Sequence, residues 1–517
     1  MSPDWRSGLV GCGLLLAACA PVGPDFERPD APAAAAWSQP TGVAMTTEAS
    51  ALSDWWRIFD DPVLDALVAE ALRANNPLEI AALQVLEARA QLGIATGSAY
   101  PQTQVAVGDA TYRDTPNTSP LGDYWSYDLG ATVAWEIDFW GRFRRAIESA
   151  DAAYLASVAA HEQAQVLLTA AVVEAYTVIR VLEEQRRIAE ENLALQRRSY
   201  EIAEVLFRNG QDSELDMQQA LTLLLATEAT LPQIDADLRR ARNALSQLIG
   251  QLPGSVAARL ADGQGIPVLP ATLEVGFPAD MLRRRPDLRQ AELLAMAQNA
   301  QVGLAEADLY PSFSLGGAIG LSAGGPGDGD FGDLFDSDAL SWSVGPSFVW
   351  PFFNYGRIRN NVRVQDARLQ QALIAYRETA LRASREAEDA MAAYEGATTQ
   401  ARLLGRTVES ARRSNELATL RYSEGYSDYQ RVLDAQQALF TQQQRLVGAR
   451  GAAVSAIVTL YQALGGGWTD GGRQPWLAPE TREVMADRTN WGEYLDAAAS
   501  SPGGSSAPGA GAPAGED

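Results

Sequence analysis

The 517-residue chain is written twice. Tyr100-Pro101 recurs as Tyr310-Pro311, 210 residues on. Trp140-Gly141-Arg142 recurs as Tyr355-Gly356-Arg357, and Phe207-Arg208-Asn209-Gly210 as Tyr422-Ser423-Glu424-Gly425, both 215 residues on. Leu248-Ile249-Gly250 matches Ala463-Leu464-Gly465 at the same 215. Five extra residues therefore fall between the first two landmarks of the second copy. Copies this long, far beyond the roughly 20 to 50 residues of solenoid units, indicate a duplicated half-domain. Each half reads alike: a short helical pair, a strand, a polar loop, a strand, a very long helix, a turn and a further helix. The chain divides into a signal segment (1–18), an extended N-terminal segment (19–53), a first repeat (54–265), a second repeat (266–468) and a C-terminal segment with a disordered tail (469–517).

No proline occurs from Leu121 to Leu231, nor from Phe352 to Gln474, so the strongest interior helix breaker is missing from both stretches. A helix from Gly141 to Arg208 has 68 residues and would run on the order of 100 Å. Along it Ala146, Ala150, Ala153, Ser157, Ala160, Ala164, Leu167 and Ala171 alternate spacings of four and three, the pattern of a heptad seam with small knobs. An ordinary long coiled coil accounts for this seam as well as a tube does.

The strands separate those two readings. In YWSYDLGATVAWEIDFW, Trp125, Tyr127, Leu129, Ala131, Val133, Trp135, Ile137 and Phe139 alternate with mostly small or polar residues. The second half repeats this, with Leu340, Trp342, Val344, Pro346, Phe348 and Trp350 set against Ser341, Ser343, Gly345 and Ser347. Period-two alternation puts the two sets on opposite faces. Aromatics toward both ends of an apolar face, with small polar residues and acids behind, fit a barrel strand with lipid outside and water inside. Trp125, Trp135, Trp342 and Trp350 are the expected lipid-facing band. Weaker strands precede each of these, near residues 104–112 and 312–321. Four strands cannot close a barrel, and open edges are not tolerated in lipid. A trimer supplies twelve strands, within the range of bacterial barrels.

The apolar run Gly8–Ala18 is too short to span a bilayer and fits the apolar core of an export signal. Leu16-Ala17-Ala18-Cys19 resembles the lipobox of bacterial lipoproteins, in which cleavage precedes the cysteine and the thiol is acylated. On that resemblance Cys19 is the first mature residue and the lipidation site. An ordinary signal cleavage with Cys19 unmodified is the alternative. The chain carries 41 basic and 65 acidic side chains, a net charge of -24, which disfavours nucleic acid as a partner. With two cysteines, one inside the signal, and the single His161, neither a disulfide framework nor the usual ligands of a transition-metal site are available. His161 reads as a surface or packing residue. No nucleotide, hydrolase or zinc-protease motif is present, so the sequence gives no sign of an enzyme, a cofactor or a metal.

Several motifs together are specific: CAPVGPDFERP after the lipobox, Phe277-Pro278-Ala279-Asp280 followed by RRRPDLRQAE, the paired Tyr-Pro strand starts, and RYSEGYSDYQRVLDAQQALF at 421–440. From Cys19 to about Trp468 the chain resembles the TolC-like outer membrane efflux proteins, in their lipoprotein branch that serves resistance-nodulation-division pumps. The resemblance implies a mixed α and β membrane protein. In that family three protomers form a twelve-stranded outer membrane barrel continuing into a periplasmic α-helical barrel. It further implies a passive exit duct for drugs or other small toxic solutes, partnered by a periplasmic adaptor (membrane fusion) protein, an inner membrane pump and outer membrane lipid.

Its gate would be an iris of helix ends near the turns after Arg208 and Ser423. Asp434 matches an aspartate that lines the constriction, where three copies would favour cations, and Tyr422 a tyrosine that tethers the closed helices. A solvated helix aspartate and a packed helix-end tyrosine are the plainer readings of these two. One turn before Asp434, where the family often has Leu or Asp, stand Gln430 and Arg431, and Arg431 is placed to pair with a neighbouring carboxylate or to weaken the cation preference. A type I protein secretion duct and a periplasmic coiled-coil adaptor lipoprotein are the alternatives. VGPDFERP disfavours the first and the aromatic strands disfavour the second. Pro286 is expected to open a helix at its first position. The loop AGGPGDGDFGDLFDSD at 323–338 resembles calcium-binding nonapeptides, but Gly329 stands where an Asp is required. It reads as an exposed, mobile extracellular loop.

Overall fold

The computed structural model describes residues 21–30, 37–38, 45–46, 52–114, 123–261, 263, 265–270, 273–274, 278–324, 330–468 and 476–497. The signal segment, Cys19 and the Gly/Pro/Ser tail lie outside them. The first half runs α1 (Pro62–Ala74), α2 (Asn76–Gly97), β1 (Thr103–Arg113), β2 (Tyr124–Ile137), α3 (Arg142–Arg208), α4 (Glu214–Glu228) and α5 (Leu231–Leu248). The second runs α6 (Pro278–Arg284), α7 (Pro286–Ala307), β3 (Ser312–Gly324), β4 (Leu340–Val349), α8 (Arg357–Ser423) and α9 (Gln430–Ala463), followed by α10 (Pro479–Arg488). Pro232, near the start of α5, stands where the first copy breaks into two helices what the second keeps as one.

The repeated landmarks are the stops and corners of this plan. After α3 the Gly210 amide donates to the Phe207 carbonyl and the Gln211 amide to Leu206. After α8 the Gly425 amide donates to Tyr422 and the Tyr426 amide to Arg421. These are Schellman closures with a glycine in the left-handed region, φ 71° and 77°, the conformation in which a side chain is penalised. Gly250 and Gly465 end α5 and α9 in the same way, each at φ near 70°.

Two compact units result, each drawing on both repeats. The first comprises Glu87–Ser157 and Gln290–Arg377 with the described part of the N-terminal stretch. Its core is an antiparallel sheet in the order β1-β2-β3-β4. The register opposes Tyr112 to Trp125, Trp135 to Leu315 and Ile319 to Trp342, so the expected aromatic positions of β2 and β4 share one face. The faint alternation of β1 now has a reason. Its residues on that face are Gln104, Ala106, Gly108, Ala110 and Tyr112, while Val105 and Val107 point the other way. Residues 21–28 form a strap in this unit. Val22 donates its amide to the Trp140 carbonyl, the buried Arg145 holds the Val22 and Gly23 carbonyls and Asp25, Asn299 donates to the Pro24 carbonyl, and Arg28 pairs with Glu292 at 2.7 Å.

Of the described residues 330–338 in the loop after β3, all but Leu334 are exposed, as the sequence leads one to expect. Residues 330–339 hold two 3-10 turns with Leu334 and Ala339 buried; Asp330 caps the first turn and Phe331 packs edge-on against Tyr127. Residues 325–329 lie outside the described set.

The second unit comprises Ala31–Leu86, Val158–Arg289 and Glu378–Asp517, so far as they are described. Polar bonds tie α3 antiparallel to α9: Ser455 donates to Glu174, Asn192 to Gln443 and Gln436 to Ser199. Pro286 opens α7 as expected. The preceding Arg285, buried, bonds Asp287, Glu386 and the Ala463 carbonyl, closing the end of α9. His161 is buried beside Trp476, and burial lowers its pKa to about 4, which keeps it neutral and confines it to packing.

The heptad seam of α3 is displaced by one residue from its expected line. The buried positions are Arg145, Ser149, Ala152, Ala156 and Ala159, whereas Ala146, Ala150, Ala153, Ser157 and Ala160 are half-buried and Leu167 is 46% exposed. Both lines have four-three spacing, so periodicity alone does not choose between them.

Gly250 and Gly210 offer a controlled comparison. A Cβ at Gly250 would come 2.1 Å from the Ala74 carbonyl oxygen, while one at Gly210 meets nothing within 4 Å. Both Ala substitutions carry the left-handed penalty of roughly 1 kcal/mol. Gly250→Ala adds a backbone clash, so it should lower the thermal midpoint followed by circular dichroism clearly more than Gly210→Ala. Equal losses would show that the landmark serves only as a helix stop.

Candidate functional site

The turns after α3 and α8 meet in one cluster. Ala203 near the end of α3, Ala220 of α4, and Tyr429, Val432 and Leu433 at the start of α9 are buried together, with Tyr200, Leu223, Ala418 and Tyr422 packed around them. Burying two tyrosine rings here requires partners for their hydroxyls. Tyr422, at the end of α8, donates to the Asp212 carboxylate in the opposite turn at 2.5 Å, and its ring lies edge-on to Tyr429 at 5.1 Å. One hydrogen bond thus joins the turn of the first repeat to that of the second.

The electrostatics favour a charged acceptor. Burial pushes the Asp212 carboxyl up, but the Tyr422 hydroxyl, a proton shared with Asp216, whose own carboxyl is raised by burial and by Asp212, and the Ser213 amide outweigh it and hold the group below its ordinary value. Burial, with the bond to Asp212, holds the Tyr422 phenol well above its usual range, and burial pushes Tyr429 up to about 12. Ser213 caps α4, accepting from the Asp216 amide and donating to its carboxylate, which fixes the turn that carries Asp212.

Above this cluster the contact between α3 and α9 is polar. Gln196 is buried between Asn192 and Ser199, and neither of its amide atoms has a hydrogen-bond partner among the described residues. An incompletely satisfied seam costs less to separate than a saturated one.

Gln430, Arg431 and Asp434 lie on the exposed side of the first turns of α9, opposite Val432, Leu433 and Gln436. Gln430 donates to Asp434 at 2.9 Å. Arg431 lies 3.9 Å from Asp428, both side chains well exposed, a loose pair of small energetic value. Arg431 therefore has a carboxylate neighbour on its own turn, and it is Asp428.

Asp212 was not among the residues that the sequence singles out, because no motif marks it. The repeat was the available signal, since the turn facing Tyr422 had to contain its counterpart segment.

At the sheet, Trp125, Trp135, Trp342 and Trp350 are all exposed. Trp135 donates its indole N–H to the Ala99 carbonyl at 3.1 Å and Trp350 to the Leu309 carbonyl at 3.0 Å. An apolar ring on the sheet face with its polar edge satisfied at the strand base suits a membrane interface. Trp125 stacks on Tyr127 and leans on Tyr112 at the other end of the strands. Among the described residues no group of three or more His, Cys, Asp or Glu side chains is placed to hold a metal ion. Cys19 lies outside the described residues.

If the tie between Asp212 and Tyr422 holds the turns together, its strength should follow the two titrations. A carboxylate with a lowered pKa contributes above its ordinary value and loses the contribution as pH falls through the folded value. A phenol with a raised pKa contributes below its ordinary value, near 10, and loses it as pH rises through the folded one. Tyr422→Phe removes a charge-assisted bond worth roughly 1.5–3 kcal/mol. Separation of labels placed in the two turns should therefore rise in the variant, and in the parent stay flat between about pH 5 and 9. A parent response centred near neutrality would contradict the assignment.

The model of the outer membrane efflux protein family matches residues 67–251 and 277–466, one stretch in each repeat. The probable outer membrane lipoprotein SilC of Salmonella typhimurium is 30% identical over 463 residues, 88% of this chain and 97% of that one. The antibiotic efflux pump outer membrane protein ArpC of Pseudomonas putida is 32% identical over 477 residues, 89% of this chain and 93% of that one. Among solved structures, the outer-membrane channel OprN superposes with a TM-score of 0.79 at 34% identity, covering 86% of this chain and 99% of that one.

Proposed function

The chain belongs to the outer membrane efflux protein family, and from that premise we propose that it is the exit duct of a tripartite pump carrying drugs or other small toxic solutes out of the cell. It is an outer membrane efflux channel with a large periplasmic portion, and its fold is that of trimers in which four strands per protomer make a twelve-stranded barrel and long helices line a periplasmic one. As a passive conduit it carries out no chemistry itself. It takes energy and most of its substrate choice from an inner membrane pump, reached through a periplasmic adaptor.

The observation that carries the gated-duct reading is the bond from Tyr422 to Asp212, which ties the helix-end turns of the two repeats. Release of three such bonds, one per protomer, together with the under-satisfied seam around Gln196, lets the helix ends part. Asp434 and Arg431 set the ionic preference at that level. Three Asp434 carboxylates facing one axis attract cations, the logic of charged selectivity rings, and Gln430 holds each in place. Three Arg431 guanidiniums on the same turns oppose that preference. The lipid-facing Trp band anchors the barrel. Acylation at Cys19 adds a second, weaker anchor, since a single acyl chain gives only marginal membrane affinity.

Planar bilayer recordings test this. Purified protein should conduct, Asp434→Asn should lower the cation-to-anion permeability ratio several-fold, and Arg431→Gln should raise it, both read from reversal potentials in a salt gradient. A trimer that inserts but stays non-conducting even with both positions neutralised would overturn the duct. Cys19→Ala should lose palmitate label yet leave part of the protein in the outer membrane, and persisting label would exclude this residue as the lipid site.

A further inference from the structure

The duplication writes the strand-to-helix corner twice in one chain, and only one of the two is neutralised. At the first, between β2 and α3, an acid of the corner itself closes the start of the helix. Asp138 accepts from the Phe143 and Arg144 amides, both at 3.0 Å, and from the Arg144 guanidinium at 3.2 Å. Arg142 lies between Glu136 at 3.4 Å and Asp308 at 3.7 Å. Each of these two cations therefore has a carboxylate, and the orphan amides of the first turn have an acceptor.

The second corner, between β4 and α8, keeps the donors and has lost the acids. At the offset of 215, Arg142, Phe143 and Arg144 become Arg357, Ile358 and Arg359, whereas Asp138 becomes Phe353 and Glu136 becomes Pro351. Asp308, at the offset of 210, becomes Ser98. Neither this chain nor a copy docked at its β4 edge thus offers a carboxylate from the equivalent positions. The first turn of α8 has no acidic residue, and Arg357 and Arg359 are exposed, with no ion pair among the described residues. The corner is also open. A cavity of about 300 Å³ adjoins it, bordered by Val349, Pro351, Arg357 and Ile358. The acids that line the same cavity, Glu136, Asp138 and Asp308, are those already held by Arg142 and Arg144. Trp350, Phe352 and Phe353 stand exposed beside it, successive ring centroids 6.1 and 4.7 Å apart.

We propose that the corner between β4 and α8 binds a phosphate oxyanion, which takes the place that the Asp138 carboxylate holds in the first repeat. Its donors are the Ile358 and Arg359 amides and the Arg357 and Arg359 guanidiniums. Free amides and the helix dipole favour an anion at this end, and a guanidinium matches the geometry of phosphate. The site is more than a bare helix start, because the equivalent amides and the equivalent arginine hold an oxyanion elsewhere in this same chain. A phospholipid headgroup supplies this chemistry beside rings suited to a membrane interface. A soluble phosphate supplies it without them.

Titration of the detergent-solubilised protein tests this, with a short-chain phosphatidylglycerol counted by native mass spectrometry and inorganic phosphate followed by calorimetry. The parent should bind one phosphate group per chain at this corner. Phe353→Asp rebuilds the acid of the first corner, so it should slow hydrogen exchange at the Ile358 and Arg359 amides and weaken binding at least about tenfold. Phe353→Leu should bind as the parent does. Arg357→Gln combined with Arg359→Gln should also weaken binding, without slowing that exchange. A parent that binds neither probe overturns the site. So does a Phe353→Asp protein that slows exchange yet binds like the parent, or unchanged binding in the double variant. Phosphatidylglycerol held at least about tenfold tighter than inorganic phosphate, and than the matching diacylglycerol, supports the site as one for a lipid headgroup. Equal affinity for the two phosphates supports it as one for a soluble anion.

Discussion

The structure depends on one requirement: a backbone amide in hydrocarbon must find its hydrogen bond within protein. A sheet of four strands leaves two edges unsatisfied, whatever its side chains do. The chain cannot solve this alone, and so the duplication, the trimer and the channel follow from one another. Two strands from each repeat make four, three copies make twelve, and the closed ring leaves water inside. The faces conform. Aromatic and aliphatic side chains occupy the side that carries the four tryptophans, while Ser341, Ser343, Gly345 and Ser347 occupy the other.

Much of this was legible in the sequence because the same local physics is stated twice. A glycine that stops a helix in the left-handed region is needed at Gly210 and at Gly425, and at Gly250 and Gly465, so the repeats align on their stops. The strong strands were readable from alternation, since Trp135 and Trp350 stand at equivalent positions and make equivalent hydrogen bonds. What was not legible falls where periodicity is degenerate or the partner is remote. The seam of α3 sits one residue from its expected line because two adjacent lines share the same spacing. In β1 the alternation is faint because Ala106, Gly108 and Ala110, on the face that carries the tryptophans, are small. The acceptor for Tyr422 lies 210 residues away in sequence, in a turn whose acids look like any solvated turn.

The proposed gate rests on a division of labour that charge counting would miss. Asp212 and Asp434 are both carboxylates at helix ends, yet their surroundings separate their roles. Asp212 is enclosed by donors, which stabilise its charge and make it a structural acceptor for Tyr422. Asp434 stands exposed and accepts from Gln430, so its charge faces solvent. Arg431, at the other end of the same turn, is loosely held by Asp428. In the gate proposed above, closure and selectivity therefore fall to different acids and can be altered independently.

The duplication is broken where the two halves meet different neighbours. In the first half the strap from Pro21 crosses the strand-to-helix corner, and Gly141 is needed because a Cβ there would come 2.4 Å from the Pro21 side chain. Arg145, one turn on, is buried by the strap it holds. The equivalent Gly356 meets only the end of the Asn360 side chain, and Asn360, in the place of Arg145, is exposed. A single N-terminus can dress only one of the two corners. At the undressed one the chain presents Phe352, Phe353 and Tyr355 to the outside. Such a cluster is a liability for an isolated chain. It adjoins Trp350, whose ring lies 6.1 Å from that of Phe352, so the cluster extends the aromatic band at the strand base, where apolar rings with a polar edge suit a membrane interface.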